Sequence, residues 1–359
     1  MPGYERHLFA GGNTAFGFHS FFEHVIPTNP HRVWVIKGGP GVGKSRLMQS
    51  IGEVIQRQRH VEYFHCSSDP QSLDGLVIPE LGVAFLDGTS PHVVDPKLPG
   101  AVDEIVNLGE YWQQAALQAN RAQIQAVTTE ISRLFRRTYG YLACAKKHLD
   151  EHAAYYVDAG ALDWAALKTL ALRYEELLLP RSVAKSASTA RHLFASAITP
   201  SGFVNFVDSL MRRCQRVLVL QATKGAGAEY ILDHLQRALA ARSLWTEVYH
   251  CGLDPETVEH LYVPELSLAV VTSRTPHVYT ATGTWTEDLN ALVREERLTP
   301  WRGEMNAVLA DGKRALEKAV GFLARAKSAH DELEGLYVPN MDFTRVEARR
   351  AQILAQLTT

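Results

Sequence analysis

Long hydrophobic runs, paired cysteines and an excess of charge of one sign are all missing from this 359-residue sequence. No stretch is long and apolar enough to span a bilayer, and the first residues lack the basic and apolar regions of a signal peptide. We therefore expect a cytoplasmic protein without a membrane partner. The net charge of −2 does not favour nucleic acid as a partner. The four cysteines form no CxxC pair, so they predict buried thiols rather than a zinc knuckle or a disulfide framework.

What the sequence does contain is an internal repeat. The segment from His7 to Phe18 recurs 185 residues later, from His192 to Phe203. Further matches follow in the same order: His65-Cys66 with His250-Cys251, Pro79-Glu80-Leu81 with Pro264-Glu265-Leu266, Pro91-His92 with Pro276-His277, and Gly140-Tyr141-Leu142-Ala143 with Gly321-Phe322-Leu323-Ala324. So many matches in one order predict a tandem duplication.

The repeat predicts two α/β lobes, residues 1–180 and 191–359, joined by a linker rich in Pro, Ser, Ala and Lys. In each lobe a short apolar strand leads into a glycine-rich loop and a helix, and two further strands follow. Strands that alternate with helices predict a parallel sheet with flanking helices.

Each lobe ends in a long segment with helical apolar spacing. In the first lobe it covers about residues 103–157, and Asp163 is placed to cap a return helix that stops before Pro180. The second lobe ends with a comparable region, residues 304–357. We expect two helical hairpins, which either pack between the lobes or bind a protein partner, including a second copy of the chain.

The strongest motif lies at residues 38–45, where Gly-Gly-Pro-Gly-Val-Gly-Lys-Ser fits GxxxxGK[ST] between a strand and a helix. Glycines allow backbone N–H groups to close around a phosphate, and the following helix dipole adds to the attraction. Lys44 is placed to reach the β- and γ-phosphates, and Ser45 to offer its hydroxyl to Mg²⁺. The expected cofactors are ATP and Mg²⁺, and the candidate nucleotide-binding residues are Gly38, Gly39, Pro40, Gly41, Val42, Gly43, Lys44, Ser45 and Arg46.

Two carboxylates complete the predicted catalytic set with Lys44. Asp87 ends an apolar strand and is the candidate second ligand of Mg²⁺; a turn residue before Gly88 is the other interpretation. Asp69 follows the second strand and is a candidate acceptor-binding or water-orienting group. Its counterpart Asp254 in the second lobe also fits a role in building the fold.

The second lobe has lost this chemistry. At residues 222–229 it reads Ala-Thr-Lys-Gly-Ala-Gly-Ala-Glu, so Ala228 and Glu229 stand where the first lobe has lysine and serine, and Thr272 replaces the strand-end aspartate. A glutamate at that position repels a triphosphate. We therefore predict one active lobe and one pseudo-lobe. Arg274, which replaces Thr89, is a candidate arginine finger.

At residues 38–45 the chain resembles the P-loop NTPase superfamily. The spelling Gly-Gly-Pro-Gly-Val-Gly-Lys, with Leu86-Asp87-Gly88 and Pro91 downstream, looks like the nucleoside-monophosphate kinases of adenylate-kinase type, although His92 follows the proline where those kinases have an arginine. Over its full length the chain is similar to a family of bacterial tandem-repeat proteins described as predicted ATPases or nucleotide kinases. The segments that carry this likeness are residues 7–14 and 65–70.

Three functions follow as hypotheses. The first is slow, Mg-dependent ATP hydrolysis by the first lobe, with the second lobe in a regulatory role. The second is a nucleotide or small-molecule kinase that uses Asp69 or Asp87 near the acceptor. The third is a nucleotide-gated binding module with negligible turnover, in which the long helices hold a partner.

Overall fold

The computed structural model describes residues 3–90, 93–181 and 190–358, and it is an α/β structure with two mixed sheets of six strands. The strands of the first sheet are β1 (Glu5–Leu8), β4 (Arg32–Lys37), β5 (Val61–Cys66), β6 (Asp69–Ile78), β7 (Val83–Asp87) and β8 (Asp103–Asn107). They are ordered β1-β5-β6-β7-β4-β8. A separate antiparallel pair consists of β2 (Gly11–Thr14) and β3 (Gly17–Ser20).

The second sheet repeats this arrangement. Its strands are β9 (Arg191–Leu193), β12 (Arg216–Gln221), β13 (Glu247–His250), β14 (Val258–Val263), β15 (Leu268–Ser273) and β16 (Trp285–Asp288), ordered β9-β13-β14-β15-β12-β16. The pair β10 (Ser196–Thr199) and β11 (Gly202–Asn205) corresponds to β2 and β3. The strand order is thus the same in both sheets.

The prediction of parallel sheets is wrong. Strands β6 and β14 run antiparallel to both of their neighbours. Only residues 67–68 separate β5 from β6, and a parallel connection needs a much longer crossover. The start of the predicted long helix is also wrong, because residues 103–107 form the edge strand β8 beside β4.

The helices are α1 (Lys44–Ile55), α2 (Gln114–Ala119), α3 (Arg121–Asp158), α4 (Trp164–Leu178), α5 (Val207–Met211), α6 (Ala228–Ala241), α7 (Glu295–Leu298), α8 (Arg302–Tyr337) and α9 (Phe343–Thr358). The predicted cap is confirmed, since the Asp163 carboxylate accepts a hydrogen bond of 3.0 Å from the Ala166 N–H at the start of α4. Cys144 on α3 is exposed, contrary to the prediction of buried thiols.

Some predictions fall outside the described residues: most of the linker, at 182–189, and the repeated pair Pro91-His92. Within the part of the chain that the structure covers, no helix has both the length and the hydropathy required to cross a bilayer.

The two sheets face each other across a common core. Alternate residues of β4 point to opposite sides, as expected for a strand buried on both faces. Val33 and Val35 belong to the core between the sheets, together with Val217 and Val219 of β12. On the outer face of the first sheet, β4 packs against α1 and α9. The outer face of the second sheet packs against α6 and α4. The layers therefore run helix, sheet, sheet, helix.

The outer helices cross between the halves of the sequence. Helix α4 precedes residue 181 but covers the second sheet, whereas α9 lies near the end of the described chain and covers the first. The long helices α3 and α8 pack against each other in antiparallel orientation. The rings of Tyr141 and Phe322 stack across this pair, with their centroids 5.5 Å apart. At 1.5 Å per residue this pair is about 55 Å long. In each hairpin, the long helix therefore leads away from its own half of the sequence, and the helix that follows it covers the sheet of the opposite half.

A buried cluster of four charges lies where the edge strands β1 and β9 meet. Arg6 forms ion pairs with Glu62 and Glu247, and Arg191 forms ion pairs with the same two carboxylates. Burial alone would raise the pKa of Glu62, but Arg191 and Arg6 hold it at about 2. Both glutamates therefore stay ionised.

Next to this cluster, backbone and rings from the two halves also meet. Phe9 and Phe194 exchange two backbone hydrogen bonds of 3.0 Å. Two pairs of histidines lie nearby, His7 with His65 and His192 with His250, and their nitrogens are 2.8 Å apart in each pair. The His65 ring lies 6.1 Å from the Phe9 ring, and the His250 ring lies 4.8 Å from the Phe21 ring. Burial lowers the pKa of His65 to about 4, and it does the same for His250.

The charge cluster yields a first prediction. Arg191→Ala removes one of two guanidinium groups from two carboxylates that are almost fully buried, and we expect it to lower the free energy of unfolding by about 3–5 kcal/mol. Chemical denaturation measures this loss. Arg181→Ala, which removes an exposed ion pair with Glu176, is the control and should cost less than about 0.5 kcal/mol. Equal effects of the two substitutions would contradict the importance of the cluster.

The histidine pairs yield a second prediction. In the folded protein His65 and His250 remain neutral down to about pH 4, whereas an unfolded histidine binds its proton near pH 6.5. Stability is therefore full above pH 6.5 and is lost as the pH falls towards 4, by about 1.4 kcal/mol per pH unit for each histidine. Denaturation at a series of pH values should show a shallower slope for His65→Gln and for His250→Gln. The exposed His31→Gln is the control, and an unchanged slope in all three would disprove the assignment.

Candidate functional site

The candidate site is built on the loop of residues 38–45, called the first loop, which joins β4 to α1. Gly41 and Gly43 have φ values of 67° and 93°, a region that side chains with a Cβ rarely adopt. Helix α1 begins directly after Gly43, with no side-chain cap and no acidic residue in its first turn. Such a helix start attracts an anion through its N–H groups and its dipole.

Lys44 closes the first loop. Its ammonium donates to the carbonyl oxygens of Gly38 (3.2 Å) and Gly39 (2.9 Å), and it lies 3.6 Å from Oδ2 of Asp87. Both side chains are largely buried, with 11 % and 13 % of their surface exposed. The other oxygen of Asp87 accepts hydrogen bonds from the N–H and the hydroxyl of Thr89, so the carboxylate is held in one orientation. The lysine and the strand-end aspartate are therefore brought together.

Ser45 follows Lys44 at the start of α1. Its hydroxyl oxygen accepts a hydrogen bond of 2.9 Å from the backbone N–H of Leu73 on β6. A hydroxyl and a carboxylate are the oxygen donors that Mg²⁺ prefers, so Ser45 and Asp87 fit the predicted metal. Arg46 comes next in the helix and lies near Glu347 of α9, whose pKa is lowered mainly by a hydrogen bond from Arg350 and further by the charge of Arg46.

Asp69 has a different environment. It accepts hydrogen bonds from the Gln71 N–H and the Ser72 hydroxyl, and it lies 3.4 Å from the ammonium of Lys327 on α8. The second half contains the same arrangement, in which Asp254 binds the Glu256 N–H, the Thr257 hydroxyl and, at 3.1 Å, Lys146 on α3. The contacts of Asp69 thus shape a turn and anchor a long helix.

Residues 222–229, called the second loop, share the backbone of the first loop but not its chemistry. Gly225 and Gly227 have φ values of 92° and 100°, and α6 begins at the next residue. Arg274 does not reach the other half of the molecule as an arginine finger would; it pairs with Glu229 at 2.8 Å and with the buried Glu259 at 3.0 Å. Internal ion pairs of Arg274 therefore lie where the first half has Ser45 and Thr89.

Both loops are covered by helices from the opposite half. A Cβ placed on Gly39 would lie 2.9 Å from the Tyr337 ring at the end of α8, and one placed on Gly225 would lie 3.0 Å from Ala153 in α3. The sequence gives no local signal for these contacts, since more than 70 residues separate each loop from its cover.

Comparisons with known proteins add no relative: no protein-family model matches the chain, and no curated protein and no solved structure is significantly similar to it.

The second loop gives a third prediction. Arg274 neutralises two carboxylates in a buried position, where burial alone would lower its pKa but Glu259 and Glu229 raise it. We expect Arg274→Ala to destabilise the protein by about 3–5 kcal/mol and Glu229→Ala in the same chain to recover part of that loss. A double-mutant cycle by chemical denaturation measures the coupling. The matched control is the exposed pair Arg237 and Asp233 on α6, for which coupling below about 0.5 kcal/mol is expected.

Proposed function

We propose that the first loop is a P-loop that binds Mg-ATP and that this site hydrolyses ATP slowly. The observation that carries the proposal is the meeting of Lys44, Asp87 and the glycine-rich backbone at the carboxyl ends of β4 and β7. This edge is where open α/β sheets bind ligands. The site combines a cation for phosphate, two oxygen donors for a metal and a helix start for an anion.

Each residue has a distinct role in this proposal. The ammonium of Lys44, which rests on the Gly38 and Gly39 carbonyls, turns to the β- and γ-phosphates when they enter. Ser45 and Asp87 would hold Mg²⁺, which neutralises charge on the phosphate oxygens. The glycine-rich backbone and the first turn of α1 bind the β-phosphate through N–H groups. Water exclusion comes from the cover by α8 and α9.

The second loop belongs to a pseudo-site in this proposal, and the chain is a tandem duplication in which one copy kept its chemistry. Ala228 offers no ammonium, and Glu229 is held by Arg274. Nucleotide state in the first loop is then transmitted through the residues that touch it. The residues that touch the first loop lie on α8 and α9 of the second half, so nucleotide binding shifts the contacts that join the two halves.

ATP hydrolysis is preferred to a kinase reaction because Asp69, the candidate acceptor-binding group, is engaged by Ser72 and Lys327. Incubation with γ-labelled ATP, Mg²⁺ and a mixed panel of nucleosides and nucleoside monophosphates tests this choice. Label released as free phosphate, whatever the panel, supports hydrolysis. Label transferred to a panel member would show that the protein is a kinase instead. ATP binding without release of phosphate would show that it is a nucleotide-gated binding module.

The proposal gives a fourth prediction. Lys44→Ala should weaken Mg-ATP binding by at least tenfold and abolish phosphate release, because the cation that meets the β- and γ-phosphates is gone. Titration calorimetry and a phosphate assay measure the two effects.

The matched control is Lys224→Ala in the second loop, which removes an ion pair with Asp150 but no predicted phosphate contact. It should change ATP affinity less than twofold. Small and equal effects of the two substitutions would rule out a single active loop.

A further inference from the structure

The first loop has two unlike sides. The order of the sheet places β4 between β7 and β8. Lys44 reaches Asp87 at the end of β7, and Ser45 touches β6 beyond it, so these residues would hold the metal and the γ-phosphate end of a triphosphate on the β7 side. A nucleoside at the other end of the triphosphate has to leave on the β8 side.

The β8 side is bordered by a wall of residues 338–343, which are the connection from α8 to α9 and the first residue of α9. Backbone hydrogen bonds fix this connection to the segment after β8: Gln113 N–H donates to Asn340 O at 2.8 Å, and Asp342 N–H donates to Tyr111 O at 2.9 Å. The wall is therefore attached to the same sheet edge as the first loop.

Two apolar side chains of this wall are exposed beside the first loop. Val338 and Phe343 show 42 % and 43 % of their surface to solvent. A Cβ placed on Gly41 would lie 2.8 Å from Val338 Cγ2, and a Cβ placed on Gly43 would lie 3.6 Å from Phe343 Cε1. An aromatic ring that is exposed directly beside a phosphate loop offers a stacking surface for the flat face of a base.

The corresponding residue at the second loop, Trp164, is similarly exposed (41 %) but also contacts a neighbouring aromatic ring. Trp164 begins α4 after the cap Asp163, as Phe343 begins α9 after Asp342. Its ring packs edge-on against Tyr230, with the centroids 5.8 Å apart. Tyr230 follows Glu229 in the same way that Arg46 follows Ser45. In the second half, then, the aromatic residue that corresponds to Phe343 is engaged with another aromatic side chain.

We propose that Phe343, supported by Val338, is the nucleobase platform of the first loop. The platform rests on the proposed function of that loop and adds the recognition of the nucleoside moiety. It contacts the face of the base and not its edge, so it favours a nucleoside triphosphate over inorganic tripolyphosphate without distinguishing adenine from guanine. One ligand is then held by both halves of the chain, its phosphates by the first and its base by the second.

Titration calorimetry with Mg-ATP and with Mg-tripolyphosphate separates the two parts. Phe343→Ala should weaken ATP binding by about 5- to 150-fold, the usual effect of losing one stacked base, and leave tripolyphosphate binding unchanged. Phe343→Leu keeps an apolar side chain for packing but lacks the ring, and it should behave like the alanine variant. Phe343→Trp should retain ATP affinity, and its additional fluorescence should be quenched by ATP but not by tripolyphosphate.

Trp164→Ala is the matched control and should leave both affinities unchanged. Equal losses for ATP and tripolyphosphate in the Phe343 variants, or equal losses in the Trp164 variant, would overturn the platform. If the unaltered protein binds tripolyphosphate as tightly as ATP, the platform fails while the phosphate loop stands. If it binds neither ligand, the proposed function itself fails.

Discussion

The buried cluster of Arg6, Glu62, Arg191 and Glu247 is the constraint on which the rest of the structure depends. Each arginine pairs with the glutamate of its own half and also with that of the opposite half, so the same buried ion pairs join the two halves. A buried ion left without its partners costs several kcal/mol, which fixes the two edge strands β1 and β9 against each other. Once these strands are in place, the inner faces of both sheets have to form one core, with Val33 and Val35 opposite Val217 and Val219.

Sharing one core leaves only the outer faces of the sheets for helices. The pair α3 and α8 spans the molecule, and each hairpin continues onto the sheet of the opposite half. Because of this crossing, the contacts of each loop come from distant sequence: Ala153 lies against the second loop and Tyr337 against the first. Because of the same crossing, a division of the sequence at residues 180 and 191 separates each outer helix from the sheet on which it packs.

The features that could be predicted from the sequence are those set by local residues. The strand, glycine-rich loop and helix at residues 32–55 follow from β-branched residues, glycines with positive φ and an amphipathic helix, and the cap Asp163 follows from its position before α4.

Strand β6 could not be predicted because the two-residue turn at 67–68 has no glycine or proline to mark it. The position of Phe343 beside Gly43 could not be predicted, because it depends on a contact across 300 residues that no local pattern records. Arg274 was misassigned for the same reason, since its partner Glu229 lies on another element.

The cover of the first sheet by α9 also has a consequence for biosynthesis. Trp34, Ile36 and Ile51 lie in a core that includes Val346 and Ile353 of that helix, yet α9 is translated roughly 300 residues after β4. At about 5–20 residues per second, the ribosome needs on the order of 15–60 seconds to cover this distance. Throughout that time the part of the first sheet's outer face that α9 covers stays exposed in the nascent chain, a surface that attracts chaperones or promotes aggregation. The first half is thus translated first, but its core is complete only after α9 has been synthesised.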